Sequence, residues 1–209
     1  MAISACASSP VSGPAPPPDS DEPLARPAPD VSDAPLPATD IWETTPEGLR
    51  HRASGFICAS TVSDFAFTVE EVYPGLPAGQ DVSCAYGAID GGAITFHLTA
   101  FARPVSVDAH LKAVTTRVSD LFRRTAPASV PLSPNGEPIT ETSAALRTDS
   151  ASARRPGTPV DTAVWIETIG AWHVKARATY EIDRAEMTAA AVYELFEQAR
   201  DHLAPPVVY

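Results

Sequence analysis

Prolines decide how much of this chain can fold. Pro14, Pro16, Pro17, Pro18, Pro23, Pro27, Pro29, Pro35 and Pro37 punctuate a stretch that is otherwise mostly Ala, Ser and Asp. Each proline removes a backbone donor and fixes φ, so at this spacing neither a helix nor a strand ladder can propagate. The region from Ala7 to Asp40 therefore reads as a disordered spacer, and the chain divides at Ile41. In polyproline-II form, at about 3.1 Å per residue, such a spacer reaches on the order of 100 Å at full stretch. Residues 1–40 are thus a leader and linker, and residues 41–209 are expected to form one domain of ordinary size.

Charge follows the same division. The formal net charge is −11, from 26 acidic and 15 basic side chains. Asp19, Asp21, Glu22, Asp30, Asp33, Asp40, Glu43 and Glu47 stand in or just after the spacer against Arg26, so much of the acidity solvates a linker. The remainder is mildly acidic and carries no Lys/Arg cluster interleaved with aromatics, which argues against nucleic acid as a partner. No apolar run approaches the roughly 20 residues of a spanning helix, so any membrane attachment would be through lipid.

Ile3-Ser4-Ala5-Cys6 resembles the site at which bacterial lipoprotein precursors are cut and the new N-terminal cysteine is acylated. The resemblance implies lipidation of Cys6, a periplasmic location and a membrane anchor. Ala7, rather than Asp, after the cysteine implies export to the inner leaflet of the outer membrane. The charged and apolar regions of a signal peptide are not found ahead of this site, as expected if translation begins upstream of Met1. The plainer alternative is a cytoplasmic protein with a chance cysteine. Of the three cysteines, Cys58 and Cys84 remain for the folded part. In an oxidising compartment they would pair as a disulfide; otherwise they are buried thiols. Neither lies in a Cys-x-x-Cys or beside a histidine, so metal binding or redox catalysis is not indicated.

Within the folded part, Phe65-Ala66-Phe67-Thr68-Val69, Asp81-Val82-Ser83-Cys84-Ala85-Tyr86 and Ile94-Thr95-Phe96-His97-Leu98-Thr99 alternate as strands of a meander. From Ser106 and Asp108 the period becomes helical, with Val107, Leu111, Val114, Val118, Leu121 and Phe122 on one side. A proline-marked loop runs from Ala126 to Pro138, and Ile139 to Thr148 is a further strand. Ala163 to Ile169 and Trp172 to Tyr180 form a hairpin around Gly170-Ala171, a pair suited to a type II′ turn. Asp183 with Glu186 three residues on resembles a capping box for a last amphipathic helix ending before Pro205-Pro206. The order βββαβββα predicts an α+β fold: an antiparallel sheet of about six strands covered by two helices.

That order, with a Trp165–Tyr180 hairpin feeding the final helix, resembles the Mog1/PsbP-like group over about Phe56 to Leu203. The group includes small periplasmic lipoproteins and photosystem accessory proteins. The likeness is one of topology, so it implies a fold and carries over no functional residue.

No residue is assigned a catalytic role, no metal ligand set is identified, and no cofactor is expected. His51, His97, His110, His173 and His202 stand in no motif. His97 and His173 lie on the polar faces of their strands and would converge only if those strands were neighbours. In that case a hydrolase-like envelope enzyme using one of them becomes the alternative to a non-enzymatic role. His173, Lys175 and Arg177 form a short basic stripe that fits an anionic ligand, a lipid headgroup or the carboxylates of an envelope protein partner. Their ordinary use would be as solvated charges. Trp165 and Trp172 flank the hairpin turn, where cross-strand packing is the usual role.

Overall fold

The computed structural model describes residues 38–77, 79–89, 91–121, 125–149 and 159–203. Cys6 and the spacer as far as Pro37 lie outside the described residues, as do Phe122, Arg123 and Arg124, while Ala38–Asp40, expected to belong to the spacer, are helical. The chain enters through a single helical turn, α1 (Ala38–Ile41), and a three-stranded sheet of β1 (Trp42–Thr45), β2 (Gly48–His51) and β3 (Ile57–Ala59). There follow β4 (Thr61–Val62), β5 (Phe65–Val72), β6 (Asp81–Ala88), β7 (Ala93–Thr99), α2 (Val107–Leu121), β8 (Thr125–Ala128), β9 (Thr142–Asp149), β10 (Pro159–Ile169), β11 (Trp172–Glu181) and α3 (Ala185–His202). Strands β4 to β11 make one antiparallel sheet in the order β4-β5-β6-β7-β11-β10-β9-β8.

The α+β class and the antiparallel sheet agree with the sequence pattern, while the strand count is corrected from about six to eight. The additions are the edges. β4 contributes only two residues, too few to show alternation. β8 carries Pro127 and fell within the expected loop; an edge strand tolerates proline because one side of its backbone needs no ladder bond. The separate small sheet was also unforeseen, because Trp42-Glu43-Thr44-Thr45 offers no apolar period. The last helix begins one residue later than expected, at Ala185 with Arg184 as its N-cap. Ile182–Arg184 form a 3-10 turn and no side chain caps α3, so Asp183 and Glu186 do not act as a capping box.

One face of the large sheet carries the core. Val82, Cys84 and Tyr86 of β6, Ile94, Phe96 and Leu98 of β7, and Val174, Ala176 and Ala178 of β11 are all buried there beneath Leu195 and Phe196 of α3. Phe96 stacks on Phe56 at 5.1 Å and meets Phe196 edge-on at 5.3 Å, joining the entry segment, sheet and helix. Each such aromatic contributes roughly 2–3 kcal/mol by burial. Trp165 is fully buried, and Trp172 packs instead against His51, itself 5.0 Å from Trp42. The two tryptophans are therefore not a cross-strand pair: Trp172 is opposite Ile169 and Trp165 opposite Ala176. The turn between them has Gly170 at φ 60°, as a type II′ hairpin requires. On the other face α2 lies over β9 and β10, where Val118 is buried with Val164 and Ile166.

A bulge in β5 alters the expected alternation. Phe67 pairs with Tyr86 but Val69 pairs with Ala85, so Thr68 is the extra residue and every later side chain changes face. Val69 is consequently 44% exposed, and Glu71 is carried to the face opposite the core.

Cys58 of β3 and Cys84 of β6 are both buried, with Cα atoms 5.9 Å apart and sulfurs placed for a disulfide. The bond would staple the small sheet to the large one across a separation of 26 residues, and the chain-entropy effect of such a loop is about 3–4 kcal/mol. Thiol alkylation under denaturing, non-reducing conditions should leave both cysteines unmodified, and Cys84→Ser should lower the denaturation midpoint. Two free thiols in the native protein would contradict this. At Gly48, with φ 150°, a Cβ would collide with the Cys58 carbonyl oxygen. Gly48→Ala should therefore cost at least about 1 kcal/mol in a chemical denaturation series.

Candidate anion-binding cleft

The face opposite the core is only partly roofed. α2 covers β9 and β10, and beside it β5, β6, β7 and β11 leave a cleft of about 650 Å³. Strand register writes its floor in cross-strand rows. Glu71, Ser83, His97 and Lys175 are successive neighbours in one row, and Ala85, Thr95 and Arg177 in the next. A third row runs from Asp81 through Thr99 to His173. The α2 side adds His110, Ala113, Val114 and Arg117, and Tyr73 and Phe101 complete the lining.

Of the sequence-derived candidates, His97, Lys175 and Arg177 line this cleft together. β7 and β11 are indeed neighbours, yet the two histidines do not converge: His97 is opposite Lys175, and His173 is opposite Thr99. The His97 ring stacks on Tyr73 at 5.4 Å, whereas His173 meets Phe101 at 5.0 Å and His110 at 5.9 Å. His110, one of the five histidines considered from the sequence, also lines the cleft, whereas Arg117, Tyr73 and Asp81 were not anticipated. Arg117 had a legible signal, since it sits three residues after Val114 and one before Val118, flanking the apolar stripe.

Three cations dominate the electrostatics. Among the described residues no ion pair or hydrogen bond engages the head groups of Lys175, Arg177 or Arg117. Burial pushes Lys175 below the ordinary lysine range; Asp81 opposes this, and Arg177 and Arg117 add to it. Asp81 is pushed up by burial, partly offset by the Thr99 hydroxyl, which donates to it at 2.9 Å, and by Lys175. The Tyr73 hydroxyl donates to Glu71 and lies 3.1 Å from the Ser83 hydroxyl, and burial raises it.

The imidazoles are neutral. Burial, reinforced by Lys175, Arg177 and His110, takes His97 down to about 2. His110 falls to about 4 through burial, Lys175 and His173. Burial also lowers His173, against the Val105 backbone. Among the described residues no carboxylate or hydroxyl hydrogen-bonds any of the three rings, and no three His, Cys, Asp or Glu side chains group as a metal would need. A base lacking an orienting partner is poorly equipped for proton transfer, whereas unpaired cations above a half-buried floor attract an anion. Away from the cleft, His51 is also held neutral, at about 4, by burial in the small sheet, where its Nδ1 is 2.7 Å from the Ser54 hydroxyl.

These depressed imidazoles set a pH dependence. A histidine whose folded pKa lies below its unfolded value near 6.5 binds its proton more readily in the unfolded chain, so stability is complete above 6.5 and is lost on acidification. For His51 and His110 the loss spans about 6.5 to about 4, and for His97 it continues lower. Thermal melts should give a nearly constant midpoint from pH 8 to 7 and a steady fall from pH 6.5 to 4.5. A flat profile through that window would contradict the burial of these rings. Comparison of the chain with protein-family models, curated proteins and solved structures gives no match.

Proposed function

We propose that this protein is a lipid-anchored component of a bacterial cell envelope, acylated at Cys6, whose α+β domain works by binding rather than by catalysis. The observation that carries the binding role is the cleft lined by Lys175, Arg177 and Arg117, whose head groups form no ion pair among the described residues and outnumber the one carboxylate, Asp81, that acts on Lys175. Support for the location comes from the Ile3–Cys6 pattern, and from a buried cysteine pair placed to bond, as oxidising compartments favour. The spacer from Ala7 to Asp40 would hold the domain off the membrane surface, on the periplasmic side of the outer membrane. The Mog1/PsbP-like resemblance is compatible with such an accessory role. A cytoplasmic protein remains the alternative if Cys6 is not acylated. A hydrolase using His97 or His173 has less support, because among the described residues neither ring has an orienting carboxylate, Asp81 being bonded to Thr99 and Asp161 to Arg147.

The anchor is tested by metabolic labelling with a fatty-acid analogue in cells expressing the gene with its natural upstream codons. The wild-type protein should carry label and sediment with membranes. Cys6→Ser should lose the label and leave the membrane fraction. An unlabelled wild-type protein in the cytosol would overturn the envelope assignment.

A further inference from the structure

Building on that binding role, the geometry points to a ligand of a particular class: a small organic phosphate monoester, seated with its phosphoryl group on Lys175, Arg177 and Arg117. Three observations lead there. First, the charges that act on one another at that end of the cleft are three cations and the single carboxylate of Asp81, whose carboxyl is already engaged by Thr99. The remaining excess of positive charge matches a dianion better than a single carboxylate. Glu71 is turned to Tyr73 at the far strand and is not among the groups felt by Lys175.

Second, the three cations differ in form. Two guanidiniums offer planar forks and the ammonium a point charge, a combination suited to the three terminal oxygens of a phosphoryl group. Lys175 and Arg177 are two residues apart on one face of β11, and Arg117 faces them from α2, so an anion between strand and helix would be held from both sides. Third, the cleft is far larger than inorganic phosphate and falls in the size range of small-molecule sites. The space beyond the cations is lined by Ala113 and Val114 on one side and the Tyr73–His97 stack on the other. That surface suits an uncharged, partly apolar organic group, and the neutral His97 ring adds no charge to it.

Lys175 is half-buried on the cleft floor, and the exposed Asp108 and Asp120 share α2 with Arg117, so a flat anionic membrane is a poorer fit than a free ester.

The test is calorimetric titration of the full-length chain at neutral pH with phenyl phosphate, glycerol 3-phosphate and inorganic phosphate. Succinate and phosphatidylglycerol vesicles serve as comparators. The esters should bind, with phenyl phosphate tighter than inorganic phosphate. Arg177→Gln and Arg117→Gln should each weaken the esters at least tenfold; both side chains are exposed, so unchanged melting curves are expected. Ester affinity unaltered in both variants would overturn the assignment to these residues. Succinate binding as tightly as the esters, or vesicle binding without ester binding, would overturn the phosphate-monoester class and leave a binding cleft standing. If no anion of any kind binds, the binding role itself falls.

Discussion

The cleft depends on a single strand pairing, β7 against β11. These strands are separated in sequence by α2 and three further strands, and nothing local sets their register. What sets it is shape on the core face, where Phe96 is opposite Ala176, Ile94 opposite Ala178 and Leu98 opposite Val174. Alanines facing large side chains leave room for Phe196 to descend onto Phe96 from α3. A slip by one residue would turn Lys175 and Arg177 into that packed layer and Ala176 out to the cleft, at a cost of several kcal/mol for each unpaired buried charge. Apolar packing on one face thus determines the placement of charge on the other.

The same arrangement explains how three unpaired cations persist. They stand at the margin of the sheet's open half rather than beneath it: Arg177 and Arg117 reach solvent, and only Lys175 is substantially enclosed. Burial first, and the repulsion among them second, depresses Lys175 and lowers the His97 and His110 imidazoles beside it. A cluster of this kind adds nothing to stability and is tolerated because the phenylalanine layer below supplies it.

The central strands were legible in the sequence: Asp81 to Tyr86, Ile94 to Thr99 and Trp172 to Tyr180 by alternation, and Ala163 to Ile169, buried on both faces, as a run joined to the last of these at Gly170. So were the cysteine pair and the polar face carrying His97, Lys175 and Arg177. What was hidden depends on non-consecutive neighbours or on features with no apolar period. The strand order that sets His97 beside Lys175 brings together residues from the two halves of the domain. Thr68 looks like any strand threonine, yet as the bulge residue it delivers Glu71 to the cleft. β1, β2 and β3 are short, and the buried His51 lies between Trp42 of the small sheet and Trp172 of the large one, a partner that no local pattern reveals.

The two ends of the large sheet bear on how copies of this molecule behave together. Among the described residues β4 covers only the first part of β5, so Thr68 to Val72 has no strand beyond it, with Val69 and Val72 partly exposed. That stretch would invite another chain to add itself, but it is kinked by the bulge and carries Glu70 and Glu71 in succession. At the opposite end Pro127 withholds a donor from any newcomer. Both open borders are therefore poor templates, the one bulged and acidic and the other short and proline-bearing, and molecules crowded side by side would not zip into a continuous ribbon.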